Sequence, residues 1–451
     1  MAYPEVKLSL REKVGYALGD TAANITWRGV STFLLVFYTD VFGISAAAAG
    51  MLLLITRFSD GITDIIMGMI ADRTETRHGK FRPWILWSAP LLGILLVLTF
   101  STPDLSDSGK LVYAYVTYIL LTLAYTANNV PYSALMGVMT PDHQERASLS
   151  GFRFAGAFFG GFLVQVFLIY LVGFLGQGNE QRGFQYSMYL FAALTVGFLL
   201  ITFFTTRERV VPSKSQQTDV GKDLKDLVTN VPWLILLVIG FLFVITNSIK
   251  QGITVIYFKH YVGAEAMAAT YMACLLIISF VAALSVGPLV RWLGKKFLFI
   301  ASMLLGGFFT GLIYVAGPDQ PALVFVFGII AEYFAGIMPV LFFAMLGDAA
   351  DYSEWKNGRR ATALVFSAGT FAMKFGGGVA GAVIGFVLAA YGYNGMDASS
   401  IPGAAPGIKL LMSWIPTIFI FVGAVIMLVY PLTKEKMAAI ETELAARRGA
   451  G

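Results

Sequence analysis

The sequence predicts an all-α polytopic membrane protein with twelve spanning helices in two pseudo-symmetric six-helix bundles. Three observations carry this: composition, the length of the apolar runs and the placement of basic residues. Of 451 residues, 57% are hydrophobic and only 13% charged, and the mean hydropathy is +0.72. Soluble domains carry about 25% charged residues, so a soluble enzyme is excluded. The 37 Phe, 20 Tyr and 7 Trp exclude a disordered chain, which cannot be so aromatic. Unbroken apolar runs such as Phe158–Leu175 and Leu411–Leu432 exclude an outer-membrane barrel, whose strands alternate.

A spanning helix needs about 20 apolar residues. Twelve segments qualify: roughly 14–38, 45–71, 83–101, 111–139, 150–175, 186–206, 232–258, 266–290, 297–316, 321–347, 362–392 and 408–432. The polar stretch 207–231 separates an N-terminal bundle (1–206) from a C-terminal bundle (232–432), followed by a tail over 433–451. The halves share weak internal similarity. Gly68 to Phe81 after the second span resembles Gly287 to Phe297 after the eighth, and Pro131 and Asp142 are echoed by Pro339 and Asp348. Related halves about an axis along the membrane normal are the arrangement of major facilitator transporters, with substrate bound near mid-membrane.

Most of the 32 Lys and Arg lie in the termini and in alternate loops on one side. Lys110, Arg182, Lys259 and Lys409 lie on the other side, and Arg28, Arg57, Arg153, Lys250 and Lys374 lie within spans. This asymmetry places both termini in the cytoplasm, with the chain in the inner membrane. It also explains the net charge of +5 as topology, so no nucleic-acid partner is expected. A single cysteine, Cys274, and three scattered histidines exclude a cysteine metal cluster and argue against a histidine one. The N-terminus carries no cleavable signal pattern.

Charged groups at the bilayer centre cost on the order of 2.5–3.5 kcal/mol each on insertion scales. Those that remain mark function. In the second span Arg57, Asp60 and Asp64 share one face. Two carboxylates a turn apart repel unless a proton or cation intervenes, and hard oxygens suit Na+. The reading is a Na+ or H+ coupling site; the alternative is a buried pair with Arg57 balancing one acid. The first span aligns Asp20, Asn24, Trp27 and Arg28 on one face, and the fourth carries Tyr125, Thr126, Asn128 and Asn129 just before Pro131. Amides donate and accept, which suits sugar hydroxyls. Arg153 and Lys374 are single charges in their spans, and Lys374 is too deep to snorkel easily. Lys250, Lys259 and Glu332 read as structural. Gly156, Gly160 and Gly161 read as close-packing positions. No phosphate-binding loop or HExxH motif is present, so an enzyme or an ATP-driven pump is not expected. No cofactor is expected beyond the coupling ion.

The stretch Arg57-Phe-Ser-Asp60-Gly-Ile-Thr-Asp64-Ile-Ile-Met-Gly68, followed by Arg77-His-Gly-Lys80-Phe-Arg-Pro-Trp84, resembles the glycoside–pentoside–hexuronide:cation symporter family. Tyr16-Ala-Leu-Gly19-Asp20, Tyr38-Thr-Asp40, Asn129-Val-Pro131-Tyr and Asp348-Ala-Ala-Asp351-Tyr-Ser-Glu354 extend the resemblance through nearly the whole chain. It implies that Asp60 and Asp64 are cation ligands joined by Thr126. It implies that Arg153 and Lys374 link the cation and sugar sites, and that Tyr125 lines the sugar pocket. Thr63 stands where the family's melibiose-carrying member has an asparagine in the cation site. Asn24 and Asn129 replace two sugar-binding aspartates of that member, and Ser133 replaces a tryptophan, so galactoside specificity does not carry over.

The expected function is cation-coupled import of a glycoside or oligosaccharide by alternating access, with a monomer as the working unit in the bilayer. Asp348 and Asp351, with Arg146 and Arg359, are expected to form a cytoplasmic salt-bridge gate. Two rival readings are a lipid or lysophospholipid carrier of the same fold and a sugar sensor that does not transport.

Overall fold

The structure of the protein is a computed structural model that describes residues 7–140, 143–209, 229–357 and 362–449. Helix dominates. The first half carries α1 (Leu10–Val36), α2 (Ala46–Arg73), α3 (Arg82–Thr99), α4 (Asp107–Met139), α5 (His143–Gly176) and α6 (Glu180–Thr205). The second half carries α7 (Val231–Ile256), α8 (Ala266–Leu293), α9 (Lys295–Leu312), α10 (Pro321–Asn357) and α11 (Thr362–Ala390). Then come α12 (Ile401–Met412), α13 (Trp414–Leu428) and α14 (Lys434–Gly449). Helix occupies each of the twelve expected segments, the last of them shared by α12 and α13.

Among the described residues, nine helical segments are long and apolar enough to cross a membrane. They fall on nine of the twelve expected spans. Three segments are outside that set: α11 contributes only the shorter apolar stretch Phe375–Ala390, and the other two are α1 and α2. Their length is sufficient, and their embedded Asp, Asn and Arg side chains lower the mean hydropathy.

Local chemistry sets the helix ends. Ser9 caps α1 reciprocally: its hydroxyl accepts from the Glu12 N–H at 3.3 Å, and the Glu12 carboxylate accepts from the Ser9 N–H at 3.2 Å. The other end of α1 widens into a π-turn, Phe37–Phe42, closed by Gly43 at φ 82°. A left-handed residue there favours glycine. The second half repeats the device: α7 runs into a π-turn, Tyr257–Val262, closed by Gly263 at φ 76°.

The chain packs as two units. One comprises Met1–Lys214, Ala264–Ala273 and Leu388–Ala404; the other comprises Ser215–Gly263, Cys274–Val387 and Ala405–Gly451. Within the first, α1 packs on α5 and α6, while α3 packs on α4 and α6. Within the second, α9 packs on α10 and α13, and α13 on α7. Shifted by six spans, α3–α4, α3–α6 and α1–α6 become the three pairings of the second unit. The internal similarity is therefore one of packing as well as of sequence.

Close helix approach in the first unit depends on α5 glycines. A Cβ at Gly156 would collide with the Ala17 carbonyl of α1, and one at Gly160 with the Thr21 carbonyl. The core of the second unit gathers Trp233, Phe299, Met303, Leu341 and Phe342. The tail helix α14 contributes Met437, Ile440 and Leu444 to that core, and Trp355 Nε1 donates to its Glu443 at 2.6 Å.

Candidate functional site

The embedded polar residues of α1, α2, α4 and α5 converge inside the first unit. On α2, Arg57 Nη1 donates to Asp60 Oδ2 at 2.8 Å, and both side chains are deeply buried, at 6% and 7% exposure. Arg57 Nη2 also donates to the Tyr118 hydroxyl of α4 at 3.4 Å. Two turns further along both helices, Thr126 Oγ1 of α4 donates to Asp64 Oδ1 at 3.1 Å. These two rungs hold α2 against α4. The Asp60 and Asp64 carboxylates face that seam because residues four apart lie on the same helical face. Thr63 donates to the Asp60 backbone carbonyl at 3.1 Å.

A face of α1 also meets α4, on the side that carries Tyr118. Trp27 and Tyr125 lie with ring centroids 5.7 Å apart, and the Arg57 guanidinium carbon sits 4.1 Å from the Trp27 ring centroid. Asn24 is half-buried, and its amide donates to the Asp20 carbonyl at 3.0 Å. Asp20 is buried; its Oδ2 accepts from Arg153 Nε of α5 at 3.4 Å. Arg153 further donates to Ser133 Oγ at 3.2 Å and lies 5.4 Å from the Tyr132 ring centroid. Asn129 is half-buried. The result is a connected set that runs from Asp60 through Arg57 to Tyr118 and to Trp27 and Tyr125, with the Asp64–Thr126 pair one turn further along α2. A second connected group joins Asp20, Arg153 and Ser133.

One expectation is revised. Asn128 was placed with the substrate-binding amides. It is instead buried at 1% exposure, and its amide donates to Ser88 Oγ of α3 at 2.8 Å. Adjacent helical positions point about 100° apart. When Asn129 takes the inner face, Asn128 turns into the α3–α4 packing.

The sequence reading did not single out Tyr118, Tyr16 or Tyr132 for the site. Tyr16 and Tyr132 stack at 4.6 Å and exchange hydroxyl-to-carbonyl bonds at 3.3 and 2.6 Å. The available signal was their register: Tyr118, Tyr125 and Tyr132 recur every seven residues on α4.

In the second unit Lys250 Nζ and Glu332 Oε2 lie 3.4 Å apart, and Ser279 donates to Glu332 Oε1 at 2.6 Å. This ties α7, α8 and α10 together. A cavity of about 20 Å³ beside Lys250, lined by Thr246, Ser302 and Thr310 among others, is the size of one water molecule and too small for a sugar. Asp348 of α10 accepts from Lys295 of α9 at 2.7 Å through both oxygens. Lys295 was not among the expected gate partners. Arg359 lies outside the described residues, and so do the side chains of Arg146 and Lys374.

Comparison with known proteins gives a consistent set of relatives. The profile described as MFS/sugar transport protein matches residues 15–434. The putative glycoside/cation symporter YagG of Escherichia coli (strain K12) is 36% identical over 449 residues, covering 98% of this chain and 96% of that protein. The isoprimeverose transporter of Lactiplantibacillus pentosus is 33% identical over 429 residues, covering 94% and 89%. A bacterial homolog of the human lysosomal transporter Spinster, solved inward-facing and unoccupied, matches with a TM-score of 0.71 at 15% identity over 93% of this chain and 95% of that one. At that identity the likeness speaks for the fold. Fold and whole-length similarity agree, and the chain belongs to the MFS/sugar transport protein family.

Proposed function

We propose that this protein imports a neutral glycoside or oligosaccharide together with a cation, Na+ or H+, by alternating access. The observation that carries the reading is that Asp60 and Asp64, one turn apart on α2, lie in rungs to α4, Asp64 bonded to Thr126 and Asp60 to Arg57, which also lies against Trp27 of the aromatic pair Trp27 and Tyr125. Two carboxylates and a hydroxyl offer only oxygen ligands, as a hard monovalent cation requires. Protonation of one acid relieves the same repulsion. The amides of Asn24 and Asn129 carry no charge and both donate and accept, which fits hydroxyl recognition. Arg153 holds Asp20 in place and contributes to the substrate side. The names of the relatives, a glycoside/cation symporter and an isoprimeverose transporter, point to the same substrate class. We place the protein in the inner membrane with both termini cytoplasmic, on the strength of its basic-residue asymmetry.

Coupling free energy is reciprocal. The cation should therefore raise sugar affinity by the same factor that sugar raises cation affinity. Titrations of purified protein with isoprimeverose and a panel of glycosides, at several Na+ concentrations and pH values, measure both factors. Equal factors well above one are expected. Independent binding of the two ligands would refute symport through this site.

A further inference from the structure

Arg57 engages both sides of the constellation at once. Its Nη1 holds Asp60 Oδ2 at 2.8 Å, and its guanidinium carbon lies 4.1 Å from the Trp27 ring centroid. A third contact, from Nη2 to the fully buried Tyr118 hydroxyl at 3.4 Å, steadies it. One side chain thus covers a carboxylate of the candidate cation site and an aromatic face of the candidate sugar pocket. All of these groups belong to α1, α2 and α4 of the first unit.

From this geometry we infer that Arg57 is an internal competitor for both ligands, and that its displacement from Asp60 and Trp27 is the step that couples cation to sugar. The inference rests on the symport reading above. A carboxylate oxygen committed to a guanidinium has less to give an incoming cation. A cation seated between Asp60 and Asp64 repels the guanidinium at close range, and burial of Arg57 and Asp60 weakens screening by solvent. Both effects favour withdrawal of Arg57. The guanidinium is drawn to the Trp27 ring by the negative face of the aromatic system, and the weakly polar C–H face of a sugar packs against the same kind of surface. While Arg57 covers Trp27, that face is closed to sugar. Once the cation moves Arg57 aside, the face opens. Conversely, sugar seated on Trp27 keeps Arg57 away from Asp60 and so strengthens cation binding. Each ligand removes the conformational cost that the other would bear. Arg57 therefore acts as a positioning residue and not as a ligand-binding group.

A purely structural arginine would neutralise Asp60 and nothing more. Its removal would then weaken binding or folding and would never improve cation-free sugar binding. A competitor gives the opposite sign. The first experiment measures isoprimeverose affinity with and without cation in wild type, Arg57→Gln, Arg57→Lys and Tyr118→Phe. The wild-type ratio should fall in the roughly 5–150-fold range of coupled sites. Arg57→Gln should bring the ratio to within about twofold of one by raising the cation-free affinity. Arg57→Lys, which restores the charge, should recover part of the cation dependence. Tyr118→Phe loosens Arg57 without removing it and should shift the ratio in the same direction by a smaller factor. It also serves if Arg57→Gln does not fold. A ratio left at the wild-type value in both Arg57→Gln and Tyr118→Phe overturns the inference.

The second experiment needs no sugar. Tryptophan emission is followed while Na+ is added or the pH lowered, and the Trp27 part is isolated by subtracting Trp27→Phe. A cation-dependent change that vanishes in Arg57→Gln is expected. The same change persisting in Arg57→Gln overturns the inference. Its absence in wild type that still accumulates sugar on an ion gradient also overturns it, while leaving symport intact. Failure of the symport reading is read separately, from ion-driven accumulation that survives Asp60→Asn.

Discussion

Asn128 and Asn129 are neighbours in sequence with opposite surroundings. Asn128 is buried against Ser88, while Asn129 is half-buried. Asn128→Ala removes one buried side-chain hydrogen bond, which is worth about 1 kcal/mol. It should lower the melting temperature by a few degrees with sugar affinity unchanged. A lower sugar affinity at unchanged stability would return Asn128 to the pocket. Asp20 and Arg153 differ again, because they form a partly buried ion pair. Breaking a buried pair by removing one partner costs about 3–5 kcal/mol, and Arg153 is partly exposed, so a smaller loss is expected from Arg153→Ala. Arg153→Lys should recover stability better than it recovers sugar binding, since lysine lacks the fork that reaches both Asp20 and Ser133. Thermal melts and binding titrations on the two variants make that comparison.

Helix termini and close crossings hold these residues in place. The Glu208 carboxylate accepts from the N–H groups of Lys80, Phe81 and Arg82 at 2.8–2.9 Å, which caps the start of α3 with an anion. Gly79 takes φ 106°, and a Cβ there would collide with Glu208. The basic loop after α2 is therefore shaped by a residue far along the chain. At the start of α1, burial pushes the Glu12 carboxyl upward, but Arg209 and Ser9 outweigh it and hold it below the usual carboxylate value. An acid whose folded value is depressed adds stability above its unfolded value, and that stability fades as pH falls through the folded value. Glu12→Gln should thus lower the melting temperature at pH 7, with the difference from wild type shrinking below pH 4. A difference independent of pH would remove the ionic contribution. At the α1–α5 crossing, Gly156→Val or Gly160→Val should force the helices apart. Either change is expected to cost about 1–3 kcal/mol through overpacking, read as a lower melting temperature.

These elements also show how far the sequence could be read. Helix occupies every apolar segment read from the sequence, and among the described residues nine of those segments are long and apolar enough to cross a membrane, because hydrocarbon thickness fixes the length of a span. The shared face of Arg57, Asp60 and Asp64 was legible because it follows from helical periodicity alone. The partner of each residue was less legible. Whether Asn128 turns toward a cavity or toward α3 depends on how far α4 is rotated in its bundle, which local spacing does not set. Lys295 beside Asp348 joins α9 to α10 across a long loop closure. The paired π-turns before Gly43 and Gly263 were hidden because Phe37-Tyr-Thr-Asp-Val-Phe-Gly43 and Tyr257-Phe-Lys-His-Tyr-Val-Gly263 share only an opening aromatic pair and the closing glycine.

Over the whole molecule, a multi-pass membrane transporter of the MFS/sugar transport protein family concentrates its embedded charge in a few places. In the first unit the charges form separate groups, Arg57–Asp60 and Asp64–Thr126 along α2 and α4 and Asp20–Arg153 between α1 and α5. In the second, the pairs Lys250–Glu332 and Lys295–Asp348 join neighbouring helices. The central claim is that Asp60 and Asp64 convert an ion gradient into sugar accumulation. Isoprimeverose and related glycosides, presented to proteoliposomes carrying an imposed Na+ or pH gradient, test it directly. Wild type should accumulate sugar above the external concentration. Asp60→Asn should abolish that accumulation while retaining sugar-for-sugar exchange. Undiminished accumulation in Asp60→Asn would contradict the claim.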